Sequence, residues 1–220
     1  GIVCHIGAGM STLVQAFLRL LEVPRDQVFV GGFDVTTLDL ATLRAAFGYV
    51  PQSHTLFSRS LRQNVAFGLP DVDDEAIRRA LYNAAFDKDL AILPDGLDTP
   101  IGERGITLSG GQKQRVSMAR ALLLDPPILV LDDSLSSVDA ETEAKILARL
   151  RALRAGKTTL IVAHRLSAVL SAYEIIVLNR GRVVQRGKHH ELVAQEGWYQ
   201  EIAKRQQLEQ ERVESEAKSA

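Results

Sequence analysis

Leu108-Ser109-Gly110-Gly111-Gln112 is followed, about twenty residues on, by Ile128-Leu129-Val130-Leu131-Asp132-Asp133. The first stretch opens a helix expected over 109–124. Ser109 suits an N-cap, and the two glycines let backbone N–H groups come close to a ligand. A helix N-terminus with free N–H groups and a positive dipole end attracts phosphate. Within that helix, Gln112 to Leu122 read as basic and apolar residues on separate faces. The second stretch has the apolar run of a central parallel strand covered on both faces. Its acidic end falls where α/β sheets bind ligands. Burying carboxylates without a partner is costly, so the Asp132-Asp133 pair points to chemistry rather than packing.

At 220 residues the chain is one domain, or one domain with a lobed insertion, and 46% apolar content supports a core. A net charge of −1 argues against nucleic acid held by bulk electrostatics. One cysteine excludes a disulfide framework and points to a reducing compartment. No apolar run reaches the roughly 18 residues of a membrane span, and no signal peptide pattern is present. Gly1-Ile2-Val3 reads as the tail of a buried strand, so residues are expected before Gly1.

Cys4-His5-Ile6-Gly7-Ala8-Gly9-Met10-Ser11-Thr12 lies between that strand and an apolar helix expected over about 12–21. A phosphate loop runs Gly, four residues, Gly-Lys, then Ser or Thr. Gly9 and Ser11 match; Cys4 replaces the first glycine and Met10 the lysine. Gly7 and Gly9 still allow backbone N–H groups to wrap phosphate, and Ser11 still offers a hydroxyl to Mg²⁺. Met10 supplies no cation. A hydrogen bond to a charged group is worth roughly 1.5–3 kcal/mol, or about 10- to 100-fold in affinity. Read alone, the loop is open between a weakened phosphate site and an ordinary Gly-rich turn; the rest of the chain favours the first. Cys4 is a redox-sensitive thiol or, more simply, a small residue tolerated in a tight loop. His5 has no ligand partner at metal spacing.

Gln27–Val30 and Phe47–Val50 read as strands, with a helix over 39–46 between them. Gln52, just after the second strand, either reaches Mg²⁺ and the attacking water or caps a backbone group. Helices over 60–67, 73–85 and 87–93 form a lobe with solvated charged faces. The Gly-punctuated loop 99–105 carries Glu103 and Arg104, which read as a surface ion pair. Asp132 would hold Mg²⁺ through water, and Asp133 would polarise the attacking water. Asp139 caps a helix expected over about 139–154. Thr158–Ala163 is another buried strand, ending at His164, which is either structural or placed to touch a γ-phosphate. Residues 173–178 and 183–185 read as a hairpin, and the polar tail from about 205 as a frayed helix or disorder.

Taken together these residues resemble the nucleotide-binding domain of an ABC transporter. The remnant over 4–12 matches Walker A, Gln52 the Q-loop, Leu108–Gln112 the signature and Ile128–Asp133 Walker B. Ser134–Asp139 matches the D-loop and His164 the switch histidine. Gly102-Glu103-Arg104-Gly105 is similar to the X-loop of the exporter branch. The resemblance implies an α/β fold: a P-loop NTPase core with a mostly parallel sheet, a helical lobe at about 60–125, and an antiparallel part lost or reduced at the N-terminus. It implies ATP and Mg²⁺ as cofactors. Gly7, Ala8, Gly9, Met10, Ser11 and Thr12 would meet the nucleotide of the chain's own site. Leu108, Ser109, Gly110, Gly111, Gln112 and Asp139 would meet that of a second domain. Ser11, Gln52 and Asp132 would serve the metal; Asp133, His164 and Gln52 the chemistry. The implied partners are a second nucleotide-binding domain and a transmembrane domain reached through the Glu103 region and the Q-loop. No nucleic acid is implied. The implied location is the cytoplasmic face of a membrane, within an integral membrane transporter.

Three positions depart from the family pattern: Met10 for lysine, Cys4 for glycine and Asp133 for the catalytic glutamate. Aspartate is one methylene shorter, and a misplacement of about 1 Å can cost roughly 100-fold in rate. All three changes weaken the chain's own site while its signature and His164 stay intact. That pattern resembles one half of a heterodimeric exporter; Met10 as an introduced change remains an alternative. Two other classes stay open. One is an ABC ATPase of DNA repair or chromosome organisation, which would need inserted coiled coils or zinc modules that this sequence lacks. The other is a regulatory module that binds nucleotide without hydrolysis.

Overall fold

The computed structural model describes residues 1–4, 9–102 and 105–219, with the side chains of 210 and 213–219 left out. In chain order the elements begin with β1 (Ile2–Cys4), α1 (Met10–Phe17), β2 (Phe29–Val30), β3 (Phe33–Asp34), α2 (Leu40–Ala45) and β4 (Phe47–Val50). β5 (Arg59–Ser60), α3 (Leu61–Val65), α4 (Asp74–Asn83), α5 (Asp87–Ile92) and β6 (Pro100–Ile101) follow. Then come α6 (Gly110–Leu123), β7 (Ile128–Asp132), α7 (Ala140–Leu153) and β8 (Thr158–Ala163). The chain closes with β9 (Ile175–Asn179), β10 (Arg182–Gly187), α8 (His189–Ala194) and α9 (Trp198–Ser219). The fold is α/β, as the sequence predicts.

Two compact units divide these elements: Gly1–Leu13 with Ile161–Ala220, and Val14–Leu160. In the first, β1 runs parallel to both β8 and β9, with Val3 opposite Ala163 and Val177. β9 and β10 form the expected antiparallel hairpin, with a bulge between Val183 and Gln185. Val3, Val169, Ile175, Val177 and Tyr199 are fully buried there. In the second unit β4 and β7 pair in parallel, from Phe47 opposite Ile128 to Val50 opposite Leu131. Leu129, Val130 and Leu131 are all fully buried, which is why that strand reads as a continuous apolar run. The helices α3 to α6 make the lobe, where α6 packs on α3 and α4. β2 and β3 form a separate antiparallel hairpin, turned at Gly31 and Gly32, both at positive φ.

Two expectations change, and one left open between alternatives is decided. The first helix is Met10–Phe17 rather than 12–21. Arg19 turns left-handed at φ 47, and its guanidinium donates to the carbonyls of Val35 and Leu38, which ends the helix. Of the two readings of the tail, helix and disorder, the helical one matches: α9 runs to Ser219, with Gln185 Oε1 accepting from the Tyr199 N–H at its start at 3.1 Å. Nor does α6 separate basic and apolar faces. Gln114 and Ser117 are buried with Val116, Met118 and Ala119, and the Arg115 side chain is only 12% exposed.

Candidate nucleotide-binding site

Walker B ends in a tight backbone turn. Asp133 takes φ 47, a conformation that Asp and Asn accept more readily than other side chains. The turn is held through its carbonyl, which accepts from Ser136 Oγ at 2.8 Å and Gln114 Nε2 at 3.4 Å. Asp132 is 4% exposed, and the Tyr49 hydroxyl donates to its Oδ2 at 3.1 Å. Burial, then the Asp132 charge, pushes the Tyr49 phenol up to about 12. Gln52 Nε2 donates to Asp133 Oδ2 at 3.3 Å, so its amide meets a side chain rather than capping the backbone. The second unit thus gathers Gln52, Asp132 and Asp133 around one strand end.

Carboxylate and amide oxygens are hard donors, which suits Mg²⁺. Among the described residues no group of three or more His, Cys, Asp or Glu could hold a metal ion. A Mg²⁺ ion at Asp132 would therefore complete its shell with water and substrate oxygens, its usual habit.

The signature helix start is locked by a capping box. Ser109 Oγ accepts from the Gln112 N–H at 3.2 Å, and Gln112 Oε1 accepts from the Ser109 N–H at 2.8 Å. The Ser-x-x-Gln spacing carries that signal in the sequence. Asp89 on α5 braces the same turn, accepting from Gln112 Nε2 at 2.7 Å and Arg115 Nη2 at 2.6 Å. Leu108 is buried beneath it. A Cβ at Gly110 would meet nothing within 4 Å, whereas one at Gly111 would stand 2.7 Å from the Ser137 carbonyl oxygen. The signature therefore abuts the D-loop through Gly111. Gly111→Ala is expected to push these backbones apart and cut ATP turnover by the assembled protein about 10-fold or more, since small displacements of positioning groups cost about that much. Steady-state ATPase rates check this, with Gly110→Ala as the milder comparison. Asp139 caps α7, accepting from the Thr142 N–H at 2.9 Å. That N–H holds its carboxyl below the usual range.

The first unit carries the remaining candidates. Gly9 takes φ 93, and its carbonyl accepts from the Leu13 N–H at 3.0 Å. Met10 is 8% exposed, so its thioether is packed, while Ser11 and Thr12 are exposed on the first turn of α1. Cys4 is buried in β1 rather than lying in a loop, which favours the plain packing role over a reactive thiol. The His164 carbonyl accepts from Gln206 Nε2 at 3.1 Å, and Gln206 Oε1 accepts from the Leu166 N–H at 3.0 Å. His5, Gly7, Ala8, Glu103 and Arg104 lie outside the described residues. Sequence reasoning missed Tyr49, Asp89, Gln114 and Gln206. Each partner is distant in sequence, and only the fold brings them together.

The family model described as ABC transporter matches residues 1–136. A Bacillus subtilis protein described as a probable multidrug resistance ABC transporter ATP-binding/permease protein, YheI, is 48% identical over 208 residues, covering 94% of this chain and 36% of that protein. The ATP-dependent lipid A-core flippase of Legionella pneumophila (strain Paris) is 42% identical over 207 residues, 94% of this chain and 35% of the flippase. The structure of a bacterial Atm1-family ABC exporter with ATP bound matches with TM-score 0.88 and 39% identity, covering 93% of this chain and 36% of that one. The chain thus spans about a third of the length of these relatives.

Proposed function

Because the chain belongs to the ABC transporter family as an ATP-binding domain of the exporter kind, we propose that it powers export across a membrane as one of a pair of such domains, with a weakened ATP site of its own. It would stand at the cytoplasmic face as part of the transporter. Among the described residues no helix is long and apolar enough to cross a membrane. A transmembrane domain would engage it through the Glu103 region and the Gln52 loop.

The observation that carries this reading is the contrast between two helix starts that would face phosphate. At Ser109 the cap is complete and braced by Asp89. At Met10 the side chain that would supply a cation is an apolar one packed into the core. The first suits a donor surface for a partner's nucleotide: the Leu108–Gln112 turn and Asp139 present it. The second leaves only the backbone N–H groups of Gly7, Ala8 and Gly9 and the hydroxyls of Ser11 and Thr12 to hold phosphate. Ser11, Gln52 and Asp132 would hold Mg²⁺, which when bound offsets charge on the transferred phosphoryl group. Asp133 would orient and polarise the attacking water. His164 would steady the γ-phosphate side.

The mass of the native complex, after gentle extraction from membranes, tests the pairing. A second chain with an intact phosphate loop is the expected result, and ATPase activity then depends on that chain's own lysine. A homodimer would place Met10 and Asp133 in both sites. The regulatory reading, nucleotide binding without hydrolysis, would then replace this one, and Met10 favours it.

A further inference from the structure

The Tyr49 hydroxyl has no place in the roles above, yet it meets the proposed metal-holding carboxylate. Tyr49 lies on β4 opposite Val130 of β7, two positions before Asp132. The parallel register brings the phenol to the strand end, where it donates to Asp132 Oδ2 at 3.1 Å. A tyrosine phenol is ordinarily protonated near neutral pH, so the hydroxyl acts as a donor. Its ring is only partly buried. One side lines a cavity of about 170 Å³ with Pro51 and Ser117.

A carboxylate has about four lone-pair sites, so one hydrogen bond fixes its plane without exhausting its capacity as an acceptor. Groups that hydrogen-bond a metal-holding side chain set its orientation, and removing them typically costs about 10- to 100-fold in metal affinity or activity. We propose that Tyr49 is a positioning residue for Mg²⁺: its hydroxyl holds the Asp132 carboxylate in the orientation that receives the ion, and it acts on nucleotide only through that carboxylate. This rests on the reading of Asp132 as the metal-holding residue.

The test measures nucleotide affinity of the whole assembled transporter with Mg²⁺ and with EDTA, and takes the ratio as the Mg²⁺-dependent gain. A non-hydrolysed ATP analogue is the probe, so turnover does not enter. Tyr49→Phe is expected to cut that gain about 10-fold while leaving the EDTA affinity and the melting temperature unchanged. On an Asp132→Asn background the same change should cost nothing, because residues acting through one group are not additive. A gain within twofold of the parent's in Tyr49→Phe overturns the inference, as does a loss that persists on the Asp132→Asn background. If Asp132→Asn alone leaves the gain intact, the metal reading of Asp132 has failed, and the inference with it. Should Tyr49→Phe fail to accumulate, 4-fluorophenylalanine at this position fills the place of the hydroxyl without a proton to donate to Asp132. An unchanged gain with it sinks the proposal equally.

Discussion

ATP binding at the proposed site of this chain is expected to tighten about 10- to 100-fold when Met10 is replaced by lysine, the value of one hydrogen bond to a charged group. The substitution is sterically mild. Met10 opens α1 and is 8% exposed, and a lysine can lay its aliphatic stem along the same apolar surface while its ammonium reaches outward. Affinity alone does not restore turnover. On the proposed reading Asp133 is a second weak point, and Asp133→Glu would add a methylene toward the water it polarises. A misplacement of about 1 Å is worth roughly 100-fold in rate, so the double variant is expected to raise single-site turnover by about that factor over Met10→Lys alone. Single-turnover hydrolysis, in a complex whose other site is disabled, separates the two effects. A tighter site with no gain in turnover in the double variant would show that Asp133 is not the limiting group.

Stability should respond most strongly at Arg154. This residue is 5% exposed and serves as the C-cap of α7. Its guanidinium donates to the carbonyls of Pro126 at 2.7 Å, Pro127 at 3.1 Å and Thr158 at 2.8 Å, and to Thr159 Oγ1 at 3.3 Å. One side chain thus ties a helix end to the starts of β7 and β8. Burial lowers its pKa from the ordinary arginine value, opposed by the charge of Asp125. Arg154→Met keeps most of the stem and removes the fork, leaving several buried acceptors without donors at about 1–3 kcal/mol each. We expect a net loss of about 3–5 kcal/mol, which for a chain of this size lowers Tm by roughly 10 °C or more. Thermal melting checks it. Arg154→Lys should recover less than half, since an ammonium is a point charge and cannot span planar acceptors.

The order of elements was legible because each carries a local signal. The apolar run of β7, the Ser109 cap and the Asp139 cap are read within a few residues. Boundaries set by distant partners were not legible. α1 stops where Arg19 reaches the carbonyls of Val35 and Leu38, and no pattern within the helix announces that. The basic residues of α6 read in sequence as a face apart from the apolar ones, yet Arg115 is held by Asp89 on another helix. The candidate site divides in the same way. Gln52, Asp132 and Asp133 are conspicuous by type and position at strand ends. Tyr49 reads as one more β-former, and its hydroxyl gains meaning only when β4 lies beside β7.

The left-handed turn at Asp133 has a consequence for how such a site could come to be. A glutamate there would carry its longer side chain in a backbone region that costs most L-residues about 1–2 kcal/mol and that aspartate tolerates better. Natural chains lie only just above the stability they need, and strained reactive positions draw on that reserve. Once a partner domain supplies the hydrolysis, selection no longer has reason to maintain the strain. Aspartate at 133 is then the residue the backbone itself prefers. Loss of activity at one of two paired sites would be a relaxation downhill, and regaining it would be the uphill step.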